Sequence, residues 1–210
     1  MKKVILLLSF SMVCAQVSFT GNTETRMGEN RSGFYYNETL INTHLQYGNF
    51  NNWLQFEFSD PPELGRSLNG LRKMRLEYDQ GDLSLKLGDL YEIWGRGIVL
   101  NSIDDQSIDR DTGIRGLSIS YNVHPFEVQF ITGKAKFAQS SIYAPGFDNR
   151  VHNYITNHNL YGLDMTYMLG NHLIGTSFLQ SKEDHADALS DTLNIKNQLI
   201  SGRYSYNNTL

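Results

Sequence analysis

Residues 71–88 read LRKMRLEYDQGDLSLKLG. Leu83, Leu85 and Leu87 share one parity, and Ser84 and Lys86 share the other. Met74, Leu76 and Tyr78 stand in the same way against Lys73, Arg75 and Glu77. Side chains alternate across a strand, so each run predicts a strand with one apolar and one charged face. DQGD at 79–82 supplies turn residues between them. The stretch is a β-hairpin, and the fold depends on its surroundings. Either the apolar face covers a protein core and the charges meet water, or the apolar face meets lipid and the charges line an interior.

The same alternation runs through the rest of the chain. Ile41, Thr43, Leu45 and Tyr47 alternate with Asn42, His44 and Gln46, and Leu54, Phe56 and Phe58 with Gln55 and Glu57. Leu117, Ile119 and Tyr121 oppose Ser118 and Ser120, and Phe126, Val128 and Phe130 oppose Glu127 and Gln129. Tyr161, Leu163, Met165 and Tyr167 oppose Gly162, Asp164 and Thr166. With less regular runs at 172–179 and 195–206, about ten strands are expected. Short turns (48–51, 79–82, 122–125 and 169–171) take turns with longer polar connections (60–69, about 90–112, 138–157 and 182–194). In an up-and-down meander this phase puts tight turns at one end and long loops at the other, as in outer-membrane barrels. A Greek-key sandwich has no reason to keep it.

Aromatic residues gather beside the short turns: Tyr47, Phe50, Trp53, Tyr78, Tyr121, Phe126 and Tyr167. Phe34 to Tyr36, Phe58, Tyr91 with Trp94, and Tyr161 are candidates for a second belt. Rings that are half wet and half buried concentrate at a bilayer surface, although tyrosine is also a good strand former. In lipid, backbone polar groups must all pair within the protein, which leaves only helices and closed barrels. A charge turned to the bilayer midplane costs about 2–4 kcal/mol. The hairpin therefore predicts Met74, Leu76, Leu83, Leu85 and Leu87 toward lipid, with Lys73, Arg75, Glu77 and Lys86 lining a polar lumen.

The N-terminus, MKKVILLLSFSMVCAQ, has two lysines, a short apolar run and small residues near position 15. It reads as a secretory leader at 1–15, too short to span a bilayer, with the barrel occupying 16–210. The single cysteine, Cys14, lies within it, so no disulfide framework is expected after export. Lys2 and Lys3 also lie there, making the remainder more acidic than the whole chain's net −4. A mildly acidic chain without a basic cluster argues against nucleic-acid binding.

Residues 88–121, GDLYEIWGRGIVLNSIDDQSIDRDTGIRGLSISY, resemble an uncharacterised family of porin-like outer-membrane proteins of Gram-negative bacteria. The family pattern G-[DN]-x-Y-E-x-[FW]-G-x-G falls on Gly88, Asp89, Tyr91, Glu92, Trp94, Gly95 and Gly97, and its later R-G strand start on Arg115 and Gly116. The resemblance extends over about residues 50–137. It implies an outer-membrane barrel, lipid as its solvent and the barrel-assembly machinery as a partner, and it names no solute. Against that family the chain is short and ends at SGRYSYNNTL without a terminal aromatic, so it is expected to be an N-terminal fragment.

Between Tyr91 and Gly113 lie an aromatic pair, a Gly-Arg-Gly hinge, the apolar run 98–100 and several acids. Folded into a lumen, Tyr91, Glu92, Trp94, Arg96, Asp104, Asp105, Asp109 and Asp111 would approach Lys73, Arg75 and Lys86 and form a charged constriction of the kind that selects solutes. An ordinary solvated surface loop is the alternative. Residues 109–113 start like a calcium loop but lack the third ligand and the distal bidentate Glu, so no metal and no cofactor are expected. The histidines are scattered, and no nucleophile pairs with a base by spacing. Three functions remain open: a porin-like channel for small solutes; a filled barrel serving as a surface binding scaffold or an enzyme; and a secreted soluble β-sheet protein that binds glycans.

Overall fold

The computed structural model describes residues 17–29, 33–63, 67–105, 110–142, 151–185 and 193–207. Ten long strands form one sheet: β1 (Val17–Glu29), β2 (Tyr35–Tyr47), β3 (Phe50–Ser59), β4 (Asn69–Gln80), β5 (Leu83–Leu90), β6 (Ile114–Val123), β7 (Phe126–Ile142), β8 (Val151–Leu169), β9 (His172–His185) and β10 (Leu193–Tyr206). Each pairs antiparallel with its neighbours in sequence, and β1 and β10 are the edges of an open up-and-down sheet. No helix among the described residues is long and apolar enough to cross a membrane.

The tight turns share one end, as the sequence predicts. In the quoted hairpin the last pair is Gln80–Leu83, and Gly81 takes the positive φ of 57° that a two-residue loop demands. The turn at Gly48–Asn49 likewise begins on a glycine at φ 54°, and that at Gly170–Asn171 on one at φ 57°. The second residue of each turn then braces the next strand: Asn49, Asp82, Pro125 and Asn171 accept from the backbone N–H of Asp79, Asn122, Met168 and Asn207 at 2.8–2.9 Å.

Two expected connections are shorter than the sequence suggests. Residues 138–142 and 151–157 extend β7 and β8, and 182–185 extend β9. Side-chain alternation fades there, but the ladder is made by backbone groups and continues without it.

Residues paired across strands share a face. One row runs through all ten strands: Val17, Tyr47, Phe50, Tyr78, Leu85, Ile119, Phe130, Leu163, Phe178 and Ile200. Every member is apolar or aromatic, and this face is bare. The opposite face carries most charges of β1 to β5 and is covered in part by residues 91–105 and 110–113. Adjacent residues of β4 show the inversion: Met74 is 47% exposed and Lys73 only 3%. The apolar and charged residues of the hairpin fall on opposite faces of the sheet, and Lys73 on the charged face is buried.

Near the tight turns, Tyr47, Phe50, Tyr121 and Phe126 are exposed on the bare face. Phe50 and Tyr78 pack with ring centroids 4.8 Å apart, as do Phe126 and Tyr167. Tyr35, Phe58 and Tyr161 are exposed toward the other end. Trp53, Tyr36, Tyr91 and Trp94 depart from the expected belts, Tyr91 because it meets Lys73 on the covered face. Trp53 and Tyr36 share the parity of the covered face, and Trp94 is buried against it.

Candidate functional site

The segment between β5 and β6 is placed by the way β5 ends. Pairing of β4 with β5 stops at Arg75–Gly88. Gly88 has φ 119°, and a Cβ there would strike the Met74 carbonyl, so only glycine allows this approach. The next residue replaces the interrupted ladder: Asp89 accepts the Met74 backbone N–H at 2.8 Å and is held by Arg115 through two contacts of 3.0 Å. Leu90 then turns fully inward.

Beyond it the chain doubles back over the covered face. Residues 93–94 pair with 100–101 around a reversal in which Gly95, Arg96 and Gly97 all have positive φ. Two of the three are glycines, the residue for which this conformation is cheapest. Gly162 of β8 leaves room for the indole: a Cβ there would lie 2.7 Å from Trp94 Cζ3. Trp94 donates from Nε1 to Gln129 Oε1 at 2.7 Å, and Gln129 donates to Ser118 Oγ at 3.2 Å. Trp94, Val99 and Leu100 close a buried cluster with Leu90, Ile114, Ile131, Ala135, Leu160 and Leu179. Burying apolar groups here opposes the entropy of fixing a long connection.

The returning half is stitched to the outgoing half. Thr112 donates its backbone N–H to Ile103 O, and Ile103 donates its own to Thr112 Oγ1, both at 2.8 Å. Ser102 donates its backbone N–H to Glu92 O at 3.0 Å and its hydroxyl to Thr112 O at 2.7 Å. Residues 104–105 pair with 110–111.

Charges join this segment to the first half of the sheet. Lys73 ion-pairs with Asp104 and, at 3.1 Å, with Asp111, and its ammonium lies 5.0 Å from the Tyr91 ring centroid. Tyr91 donates its hydroxyl to Asp111 at 3.2 Å. Burial, then the charges of Asp111, Asp104 and Asp89, push the Tyr91 phenol well above its usual range. Lys86 reaches Glu92 at 3.0 Å. Arg75 contacts Glu77 at 2.6 Å and lies 5.2 Å from the Trp53 ring. Arg72 bridges Glu57 at 3.0 Å and approaches Asp104 at 3.7 Å.

The sequence-predicted residues separate as follows. Lys73, Arg75, Glu77 and Lys86 all lie on the covered face, and Tyr91, Glu92, Asp104 and Asp111 meet them there. Trp94 joins the apolar cluster rather than the charged one. Arg96 is exposed at the positive-φ reversal, beside the apolar cluster rather than among the charged groups around Lys73. Asp105 stands opposite Arg110, and Asp109 lies outside the described residues. Asp111 is engaged by Lys73, Tyr91 and the Gly113 backbone N–H, so its carboxylate already has partners.

Other covered-face residues were not anticipated. Arg72 shares the parity of Met74 in sequence, but a bulge opposite Gln55 and Phe56 turns it inward. On β8–β10, Arg203 spans both Asp164 oxygens at 2.7 and 2.6 Å, Ser177 Oγ at 2.8 Å and Thr166 Oγ1 at 2.6 Å, while Ser177 donates to Asp164. Parity alone places Asp164 with this set, and register is needed to pair it. A cavity of about 200 Å³ lies between the folded-in segment and the sheet, lined by Leu100, Thr112, Ile114, His158 and Leu199 among others. Among the described residues, no group of three or more His, Cys, Asp or Glu is arranged to hold a metal ion.

No curated protein matches this chain. Residues 2–210 match a family of unknown function, DUF6029, and the chain belongs to that family.

Proposed function

We propose that this chain forms a transmembrane barrel of the outer membrane, a porin-like channel whose lumen is narrowed by residues 91–105 and 110–113. One observation carries the reading: in the first half of the sheet Met74, Leu76 and Leu87 are exposed on the bare face, while Gln55, Glu57 and Lys73 are buried on the other. Such an inversion suits a lipid exterior and a polar interior. In lipid, closure requires the outer edges of β1 and β10 to find partners, since unpaired backbone groups are costly there.

Small solutes would diffuse past a surface of fixed, paired charges. Lys73 with Asp104 and Asp111, Lys86 with Glu92, and Arg72 with Glu57 set opposite charges side by side. This arrangement orders water and filters solutes by size and dipole more than by net charge. A second reading, a filled barrel used as a binding scaffold, is favoured by the apolar cluster around Trp94, which occupies part of the interior.

Two measurements decide. Spin labels at Leu85 and Lys86 should report lipid and water respectively, and the opposite result would remove the membrane reading. The full-length protein in planar bilayers should give stable conductance steps, and silence would favour the filled barrel.

A further inference from the structure

On the bare face the register aligns Asp89, Arg115, Lys134, Asn159, Lys182 and Lys196 across β5 to β10. The four cations of this row are exposed, as is Lys136, one turn of the pleat further along β7. Every other Lys or Arg of the ten long strands among the described residues (Arg26, Arg72, Lys73, Arg75, Lys86 and Arg203) lies on the covered face, Arg72 by way of the bulge. The tight-turn end of the bare face carries Tyr47, Phe50, Tyr121, Phe126 and Tyr204, with His172 beside Tyr204, and no Lys or Arg among the described residues.

Among the described residues, the Lys and Arg of this face are therefore confined to the end of the long connections. Spaced by about 4.8 Å per strand, the row extends roughly 19 Å from β6 to β10. Arg115 stands opposite Lys134, and Lys182 opposite Lys196. Arg115 also holds Asp89, and the exposed cations of the row are complementary to anions at this level. Four residues closer to the tight turns, about 13 Å away, Ile119, Phe130, Leu163, Phe178 and Ile200 form the apolar row. Phosphate at one level and hydrocarbon at the next is the profile of a lipid.

We propose that Arg115, Lys134, Lys182 and Lys196 bind the phosphate groups of a phosphorylated glycolipid of the lipid A type, in the leaflet on the long-connection side, with its acyl chains against the apolar row. Guanidinium and ammonium groups make charge-assisted hydrogen bonds to phosphate oxygens. The inference rests on the membrane-spanning reading and adds a specific lipid to it.

The test uses the full chain in detergent, with Lys134→Gln, Lys182→Gln and Lys196→Gln combined; Arg115 is kept because it braces Asp89. Native mass spectrometry would measure retention of bis-phosphorylated lipid A, its dephosphorylated counterpart and phosphatidylglycerol. The wild-type chain should retain phosphorylated lipid A at least tenfold better than the dephosphorylated form, and the triple variant should lose that preference. Equal retention of both forms, or an unchanged preference in the variant, overturns the proposal. Phosphatidylglycerol retained as well as lipid A overturns the assignment to a glycolipid. Should the triple variant fail to fold, Lys134→Gln and Lys196→Gln taken singly must each weaken retention severalfold. Labels at Leu85 and Lys86 on the same samples separate the two readings: failed lipid A binding with Leu85 in lipid refutes this inference alone.

Discussion

Replacing Lys73 by methionine tests what holds the folded-in segment. Methionine keeps most of the volume of the aliphatic stem and removes the cation. Asp104 and Asp111 then lose their shared partner on the covered face. Breaking a fully buried ion pair from one side costs about 3–5 kcal/mol. Here the discount is substantial, because the Asp104 side chain is 19% exposed and that of Asp111 41%. Arg72 also remains 3.7 Å from Asp104. A loss of about 2 kcal/mol follows, which shifts the opening equilibrium of the segment roughly 30-fold. Hydrogen exchange reads this directly, through the backbone N–H groups of Ser102, Ile103 and Thr112, which bond within the segment. In Lys73→Met they should exchange roughly 30-fold faster, while amides in the β6–β7 and β7–β8 ladders keep their rates. Adding Asp104→Asn should recover part of the loss, since the uncompensated charge is then reduced. Unchanged exchange at the three amides would refute the idea that the cation fastens the segment. Equal acceleration throughout the sheet would show that Lys73 supports the fold as a whole.

Gly162→Ala places a Cβ 2.7 Å from both the Phe178 carbonyl and Trp94 Cζ3. The indole should be displaced at a cost of about 1–3 kcal/mol, seen as a red-shifted, more quenchable emission in a Trp53→Phe background; an unshifted spectrum would show that the ring tolerates the methyl. The raised phenol of Tyr91 keeps it neutral in the folded state, so the unfolded state releases its proton first as pH rises. Stability contributed by this group is intact below about pH 10 and falls above it. Absorbance titration should leave one tyrosine un-ionised after the exposed ones have titrated, and Tyr91→Phe should remove that laggard. Arg203→Met strands Asp164, whose side chain is 16% exposed, and should cost about 3 kcal/mol in thermal unfolding in detergent. Arg203→Lys should rescue little, because one ammonium cannot reproduce a fork that reaches Asp164, Ser177 and Thr166; full rescue would reduce the cluster to simple charge pairing.

Strand number, antiparallel order and the tight-turn end were readable from the sequence because each rests on local rules. Alternation declares a strand face, and Gly48, Gly81 and Gly170 sit where two-residue loops need positive φ. The extensions of β7, β8 and β9 were not readable, since their ladders run past the apolar band into residues whose side chains carry no pattern. The inward turn of Arg72 was not readable, because parity alone puts it with Met74 and a bulge belongs to a pair of strands that one strand cannot announce. Four of the acids and aromatics proposed to fold inward do meet Lys73 or Lys86, as the mixed composition of 91–113 suggested. Which acid meets which lysine depended on Gly88 ending the β4–β5 ladder, a long-range consequence of one backbone angle.

The covered apolar patch did leave a trace in the sequence, in the places where alternation fails. Phe130–Ile131, Leu160–Tyr161, Phe178–Leu179 and Leu199–Ile200 each put two large apolar residues in succession. A strand with one polar face has no use for such a step. In each pair one member, Phe130, Tyr161, Phe178 or Ile200, belongs to the bare face. Of the other members, Ile131, Leu160 and Leu179 are buried in the cluster around Trp94, and Leu199 lines the adjoining cavity. All four steps fall on β7 to β10, whereas on β2 to β4 the covered face carries Asn42, Gln55 and Lys73 beside Leu40 and Trp53. Beneath the segment the interior is divided, apolar where its aromatic and aliphatic residues rest and charged where its acids reach. That division matches the segment's own order, with Trp94 to Leu100 first and Asp104 to Asp111 after, so strands and connection are complementary in sequence before any geometry is known.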